Sequence, residues 1–347
     1  MKMEHLIYRF RENRVRRAYF GGKRIDHFAG KTECVDSRYP EEWIASATEA
    51  FNPDCPKEGE GLSVCSDGTV FRDILQQEPR RILGGRCYAL DAGKMSILVK
   101  LLDSAERLVI QCHPTVEFAK ARFGSNFGKT ECWYMLETTE DACVYLGFKL
   151  GVTREHWISL FETQNIEGML DCLHRFPVKA GELWFVEGGV PHAIGGGCLM
   201  VELQEPSDLM VIPERKTPSG VVLDEKKLHG GLGFEDMFDC FVYEGLSVDE
   251  TRKRYCRAPH AVVNTPVPVV DEGLTDKFSM SLLAVDGSCE IGLGDRYAIG
   301  IVTEGEGSLA AGNDVQTLRQ SESFFVCADS GTLHFDGQMK VVLCISH

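Results

Sequence analysis

Apolar positions recur along the chain at two different spacings, which together predict strands with helical interruptions. Residues 97–102 (ILVKLL) form a short apolar run that reads as a buried strand, and residues 107–113 (RLVIQCH) read as the next, ended by Pro114. Residues 131–150 hold two aromatic and β-branched runs about a polar turn, the pattern of a hairpin. The period then changes. Trp157, Leu160, Phe161, Ile166, Met169, Leu170 and Leu173 fall at helical spacing, so a helical insertion is expected over 153–175 with Thr153 as its N-cap. Strand patterns resume at 183–186, 192–194 and 199–204, and a second helical patch is expected at 224–241. Residues 1 to 95 read as short strands and turns, among them Phe20-Gly21-Gly22-Lys23.

After Pro266 and Pro268 the pattern becomes short strands between glycine turns, with runs at 297–302, 323–326 and 340–343. The expected division is therefore a β unit with helical insertions over 1–265, carrying the chemistry, and a supporting β unit over 266–347. A chain of 347 residues with 44% hydrophobic and 26% charged positions has enough core for either one large unit or two.

Charge narrows the partners. Thirty-seven basic residues against 52 acidic ones give a net charge of −15, which repels phosphate backbones and anionic membranes. An anionic small molecule would then need a locally basic pocket. No apolar run reaches the roughly 20 residues of a membrane span, and the start, MKMEHLIYRFRENRVRR, lacks a signal-peptide core. The fourteen cysteines lie singly, with no Cys-x-x-Cys, and read as reduced core residues of a cytoplasmic protein.

The candidate chemistry is a metal site. Gln111 and His113, two apart on a strand, project to the same face. Glu131 opens a later strand, and His192 follows the turn Gly188-Gly189-Val190-Pro191. Two imidazoles, a carboxylate and an amide oxygen suit zinc, or manganese, iron or cobalt in its place, and leave a position open for water or substrate. Lys100 interrupts an apolar strand and is expected to pair with a carboxylate in a cavity. Lys129 shares the side of Glu131.

The stretches LLDSAERLVIQCHP, FGKTECWYML, GELWFVEGGVPHAIGGG and VELQEPSD resemble the type I phosphomannose isomerases, zinc enzymes of the cupin superfamily. The resemblance is specific over 96–136 and 181–208, fainter in FGGKRIDHF and PEEWIAS, and runs only in outline through the C-terminal half. It implies a mainly β fold, a double cupin of two jelly-roll-like β-barrels with helical insertions. It also implies one zinc ion per chain on Gln111, His113, Glu131 and His192, and interconversion of mannose 6-phosphate and fructose 6-phosphate through a cis-enediol. Lys129 matches a family lysine and is expected to serve as base or phosphate contact, with Lys100 and Lys216 as further substrate contacts. Glu202, Ser207 and Asp208 match positions that support the site. The family arginine four residues after Asp208 is replaced here by Ile212, and Arg215 is the candidate to stand in for it. That departure keeps two alternatives open: a metal-dependent cupin isomerase or epimerase acting on another sugar, and a sugar-binding cupin without turnover. The partner expected in each case is a small sugar or sugar phosphate, with no nucleic acid or membrane, the protein acting as a monomer or homodimer.

Overall fold

The computed structural model describes residues 5–347. Strands dominate, and they form three sheets. The first holds β2 (Arg14–Val15), β3 (Glu41–Ile44), β4 (Leu98–Ser104), β5 (Glu131–Thr138), β8 (Leu183–Val186), β10 (Cys198–Gln204) and β12 (Cys256–Arg257), in the order β12-β8-β5-β10-β4-β3-β2. The second holds β6 (Cys143–Lys149), β7 (Leu173–Pro177), β9 (His192–Ile194) and β11 (Gly245–Leu246). The third collects β1 (Ile7–Tyr8) with the C-terminal strands β13 (Val267–Val270), β14 (Phe278–Gly292), β15 (Ala298–Ala311), β16 (Asp314–Arg319), β17 (Ser323–Val326) and β18 (Thr332–Ser346). This is the mainly β, double-cupin architecture expected, with helices between the strands.

Strand alternation explains how the sheets stack. In the first sheet, Val99, Leu101, Cys132, Leu183, Phe185, Val201 and Leu203 point to one side and pack against Met280, Leu282, Ile299, Val342 and Cys344 of the third sheet and Tyr297 just before β15. The intervening residues point the other way. Leu102, Trp133, Met135, Trp184, Val186 and Met200 meet Val144, Leu146 and Ile194 of the second sheet. The third sheet repeats the device, with Leu283, Val341, Leu343 and Ile345 facing an inner core of its own. The first sheet is thus buried on both faces, which is why its strands read as near-continuous apolar runs.

Several elements differ from expectation. The two runs in 131–150 are strands, but they do not pair with each other: β5 lies between β8 and β10 in the first sheet, while β6 pairs with β7 and β9 in the second. The polar turn between them carries the chain from one sheet to the next. The helical insertion ends at Asp171, after helices Arg154–Glu162 and Ile166–Asp171, and Leu173 begins β7 instead. Thr153 caps the first of these helices, its hydroxyl accepting from the His156 amide. The patch at 224–241 resolves into the short helices Glu225–His229 and Phe234–Met237 with a 3-10 turn, and Val248–Tyr255 adds a helix with a Ser247/Glu250 capping box. Within the N-terminal stretch, Lys23–Phe28, Phe71–Gln77, Pro79–Leu83 and Gly85–Leu90 are helical. Their periodicity extends over only one or two turns, too short to separate from turns by pattern. The first strand, β1, pairs with β17 and so joins the sheet built otherwise from the C-terminal residues.

Tyr297 pins the two halves together. Its buried hydroxyl oxygen accepts from the amides of Ser96 (2.9 Å) and Ile97 (3.2 Å), just before β4 begins. Tyr297→Phe leaves both amides unpaired in the core, and should lower unfolding free energy by about 2–3 kcal/mol in a denaturant titration. A loss below about 0.5 kcal/mol would show that the joint does not depend on this group.

Candidate metal centre

The metal-site residues converge because three chain segments cross at Pro114. Gln111 and His192 form a bridge in which each amide donates to the other's carbonyl at 2.9 Å, so their side chains emerge side by side. Gly189 donates to the His113 carbonyl at 2.7 Å, and Lys129 donates to the Pro114 carbonyl at 3.0 Å. This crossing needs glycine. A Cβ on Gly128 would stand 2.6 Å from the Pro114 oxygen, and one on Gly188 would stand 2.7 Å from it. Either contact would push apart the segments that carry Lys129 and His192.

His113, Glu131 and His192 place their ligand atoms within 4.8 Å of one another, all buried. Each ring is oriented by a backbone carbonyl. His113 Nδ1 donates to Leu209 at 2.9 Å and His192 Nδ1 to Val190 at 3.0 Å, which leaves both Nε2 lone pairs turned to the centre. Glu131 Oε2 lies 3.3 Å from His113 Nε2, and Oε1 lies 3.4 Å from His192 Nε2. The Gln111 amide sits 3.2 Å from His192 Nε2, and a half-turn of that amide brings its oxygen to the same place. The residues fit a divalent cation: convergent acceptors, a fixed tautomer on both rings, and a carboxylate oxygen, Glu131 Oε2, with no aligned hydrogen-bond donor. Cys112 and Cys132, neighbours of two of these residues in sequence, point into apolar cores on the opposite side.

Around the triad runs a row of paired charges. The Lys129 ammonium lies 2.7 Å from His113 Nε2, 2.8 Å from Glu131 Oε2 and 3.7 Å from Glu202 Oε1. Burial works against its charge, but Glu131 and Glu202 outweigh it and hold Lys129 protonated above the ordinary lysine value. Register places Glu202 opposite Lys100 on one side and opposite Trp133 on the other, and Lys100 opposite Trp43. Lys100 pairs with Glu202 at 3.4 Å and Glu41 at 3.8 Å, as its place in an apolar strand required. Burial pushes the Glu202 carboxyl up to about 7, with Lys100 opposing and Glu131 adding to the rise. Its Oε2 has no hydrogen-bond partner.

These groups line one cavity, which encloses about 600 Å³ with its open mouth included. Among the sequence candidates, Gln111, Lys100, Lys129, Glu131, Glu202 and Asp208 line it, and His113 and His192 stand behind Gln111 and Glu131. Ile212 also lines it, as a buried apolar wall. Arg215 and Lys216 do not. The Arg215 guanidinium is held outside, between the rings of Phe161 (4.8 Å) and Phe234 (4.9 Å), and both residues are exposed. Arg215, expected to stand in for the arginine missing at 212, and Lys216, expected to contact substrate, both lie outside the cavity lining. Ser207 donates to the Gly128 carbonyl, which ties the stretch after β10 to the glycine beside Lys129.

Four polar cavity residues, Arg17, Tyr19, Glu41 and Lys227, were not read from the sequence. Arg17 donates to both oxygens of Asp208 at 3.0 Å and to Glu41 at 2.9 Å. Glu41 also accepts from Tyr19 and the Trp43 indole, both at 2.8 Å. Lys227 completes the group. A signal existed for Glu41, since it alternates with Trp43 on a strand and so shares its buried face. Arg17 stands in a run of arginines that reads as solvated surface.

Residues 273–346 match the family described as "Mannose-6-phosphate isomerase, cupin domain". The chain is 26% identical over 292 residues to the mannose-6-phosphate isomerase of Bacillus subtilis, covering 83% of this chain and 85% of that protein. It is 25% identical over 295 residues to the corresponding protein of Streptococcus mutans, covering 81% and 84%. The crystal structure of the Bacillus subtilis mannose 6-phosphate isomerase superposes with a TM-score of 0.72 at 19% identity, over 98% of this chain and 99% of that one, and shares the fold. The C-terminal half, expected to match only in outline, is where the family profile falls.

Burial holds His192 neutral, lowering its pKa to about 3, and lowers that of His113 with help from the Lys129 charge. An imidazole depressed in the folded state takes up its proton on unfolding, so its stabilising effect is complete above the unfolded value of about 6.5 and fades as pH falls below it. The metal-free protein should accordingly show a denaturant midpoint that drops between about pH 7 and pH 5, and His113→Gln with His192→Gln should flatten that dependence. An unchanged slope in the double variant would refute the assignment.

Proposed function

We propose, for a chain that belongs to the type I phosphomannose isomerases of the cupin superfamily, that it interconverts mannose 6-phosphate and fructose 6-phosphate with one zinc ion held by Gln111, His113, Glu131 and His192. The observation that carries this reading is the placement of a buried, partly unpartnered carboxylate, Glu202, one lysine away from the metal triad in the same cavity. When bound, zinc would act as a Lewis acid at the C1 and C2 oxygens of the opened sugar and offset the negative charge that develops there.

The protein's own groups do the rest. An aldose to ketose shift moves one proton between neighbouring carbons, through a cis-enediol, and needs a base that can release what it takes. Glu202 suits this, because a carboxyl pushed up to about 7 exchanges its proton readily near neutral pH. Lys129 remains an ammonium. In this reading it is ion-paired with Glu131 and Glu202 and fixes the distance between the metal end and the base. Lys100 restrains Glu202 from the other side, and its ammonium lies over the Trp43 ring, 5.0 Å from the ring centre. Leu102, Leu108, Val109 and Ile194 line the wall and exclude water from the carbanionic stage.

A second reading is favoured by Ile212, whose apolar side chain lines the cavity where the family resemblance leads one to expect an arginine. It keeps the metal and the base, and gives the enzyme another sugar. The cytoplasmic placement rests on the fourteen unpaired cysteines, most of them buried.

The test is a coupled assay of zinc-loaded protein with mannose 6-phosphate, beside a chelated sample and Glu131→Ala, in both of which turnover should vanish. Glu202→Gln should lower kcat by about 100-fold or more with zinc content unchanged, while Arg215→Ala should stay within about threefold. No turnover from the zinc-loaded protein would remove mannose 6-phosphate as substrate. Equal losses in Glu202→Gln and Arg215→Ala would remove Glu202 as the base.

A further inference from the structure

The triad and Glu202 account for one end of the cavity. From Glu131 the ion pairs continue in a single chain to Lys129, Glu202, Lys100, Glu41, Arg17 and Asp208, with nitrogen to oxygen separations of 2.8 to 3.8 Å. Along this chain each cation lies between two carboxylates: Lys129 between Glu131 and Glu202, Lys100 between Glu202 and Glu41, Arg17 between Glu41 and Asp208. None of the three has charge to spare for a ligand.

Lys227 is different. It sits on the short helix Glu225–His229, its side chain is 7% exposed, and it lines the same cavity beyond Arg17 and Asp208. Its ammonium has one long hydrogen bond, to Asn52 Oδ1 at 3.4 Å, and its nearest carboxylate, Asp54, stands at 3.9 Å. Asp54 is itself engaged by Arg16 at 2.8 Å. Burial lowers the Lys227 pKa, and the positive charge of Arg17 adds to the effect, before Asp54 opposes it. A buried ammonium this poorly matched costs free energy, and an incoming anion would recover it.

The side chain is aimed by packing. The Ile212 amide donates to the Leu228 carbonyl at 2.7 Å, and Ile212, Leu223 and Leu228 form one apolar cluster. These contacts dock the helix on the cavity rim with Lys227 turned inward. Ile212 therefore contributes to the site by holding the segment that carries a cation.

We propose that Lys227 is the anion anchor of the cavity, taking the phosphate oxygens of a phosphorylated sugar whose reacting carbons lie at the metal end, with Arg17 beside it. This rests on the isomerase reading for the reaction but not for the anion. A hexose 6-phosphate carries its phosphate on the carbon farthest from the carbonyl, so the two ends of the ligand need opposite ends of the cavity. Among the described residues that line the cavity, Lys227 is the cation without a close carboxylate, beyond Arg17 and away from the triad.

The experiment uses zinc-loaded protein, wild type, Lys227→Met, Lys227→Gln and Lys227→Arg, with zinc content and melting temperature measured for each. Lys227→Met and Lys227→Gln are expected to raise KM for mannose 6-phosphate by about 10- to 100-fold with a smaller change in kcat, and to weaken calorimetric binding of inorganic phosphate by a similar factor. Lys227→Arg should restore most of both. KM and phosphate binding within about twofold of wild type, in whichever neutral variant folds, would overturn the proposal. Wild-type protein that binds phosphate through Lys227 but turns over no mannose 6-phosphate would uphold the anchor and sink the isomerase reading. Wild-type turnover that ignores Lys227 would do the reverse.

Discussion

The ammonium of Lys129 stands 2.8 Å from Glu131 and 3.7 Å from Glu202, with the surrounding strands excluding water from all three. Each of these charges alone would cost several kcal/mol to bury, and the arrangement is tolerable only because signs alternate along the whole row from Glu131 to Asp208. Alternation has a structural consequence. Removing any inner member strands two neighbours, so the row behaves as a unit, and the distance between the metal triad and Glu202 is set by pairs on both sides and not by one contact.

A row of charges can be held this way only on a rigid surface, and strand geometry supplies it. Glu41, Lys100, Glu202 and Glu131 sit on β3, β4, β10 and β5, four neighbouring strands, and each points to the same side of the sheet. The residues between them, such as Val99, Leu101, Val201, Leu203 and Cys132, point back into the core shared with the third sheet. A slip of one residue in any pairing would put a charge into that core and a methyl group into the cavity. The C-terminal strands therefore bear on the chemistry without lining it, by fixing the register of the sheet that does.

This division explains what could be read from the sequence. Gln111, His113, Glu131 and His192 could be picked out as a set because the spacing and the family resemblance pointed to the same positions, and the structure brings His113, Glu131 and His192 together although 107–113 forms only isolated bridges. Lys100 was legible because a lone charge in an apolar strand demands a partner. The pairing of β5 with β8 and β10, and of β6 with β7 and β9, was not, since a polar turn between two strands looks the same whether they pair or part. Arg17 and Lys227 were hidden for a related reason. Both lie in charged runs that look solvated, and only tertiary docking, through Asp208 in one case and Leu228 in the other, turns them inward. Arg215 misled in the opposite sense: its proximity in sequence to the site suggested a role, but Phe161 and Phe234 hold its guanidinium outside.

The charge count of the cavity bears on how so acidic a chain could accept an anion. Arg17, Lys100, Lys129 and Lys227 face Glu41, Glu131, Glu202 and Asp208, four cations against four carboxylates, so the lining is formally neutral within a chain of net charge −15. A divalent cation on the triad would leave it two charges positive, which is the charge that a phosphate dianion carries with the opposite sign. The protein's overall field then opposes approach over long distances, where salt screens it beyond roughly 10 Å, while the cavity favours the anion at contact. Metal and phosphate would each make the other's burial less costly, one at either end of the same row of pairs. Reciprocity follows from that linkage, so an anion held at Lys227 should tighten the hold of the triad on its metal by the same factor that the metal tightens the hold on the anion.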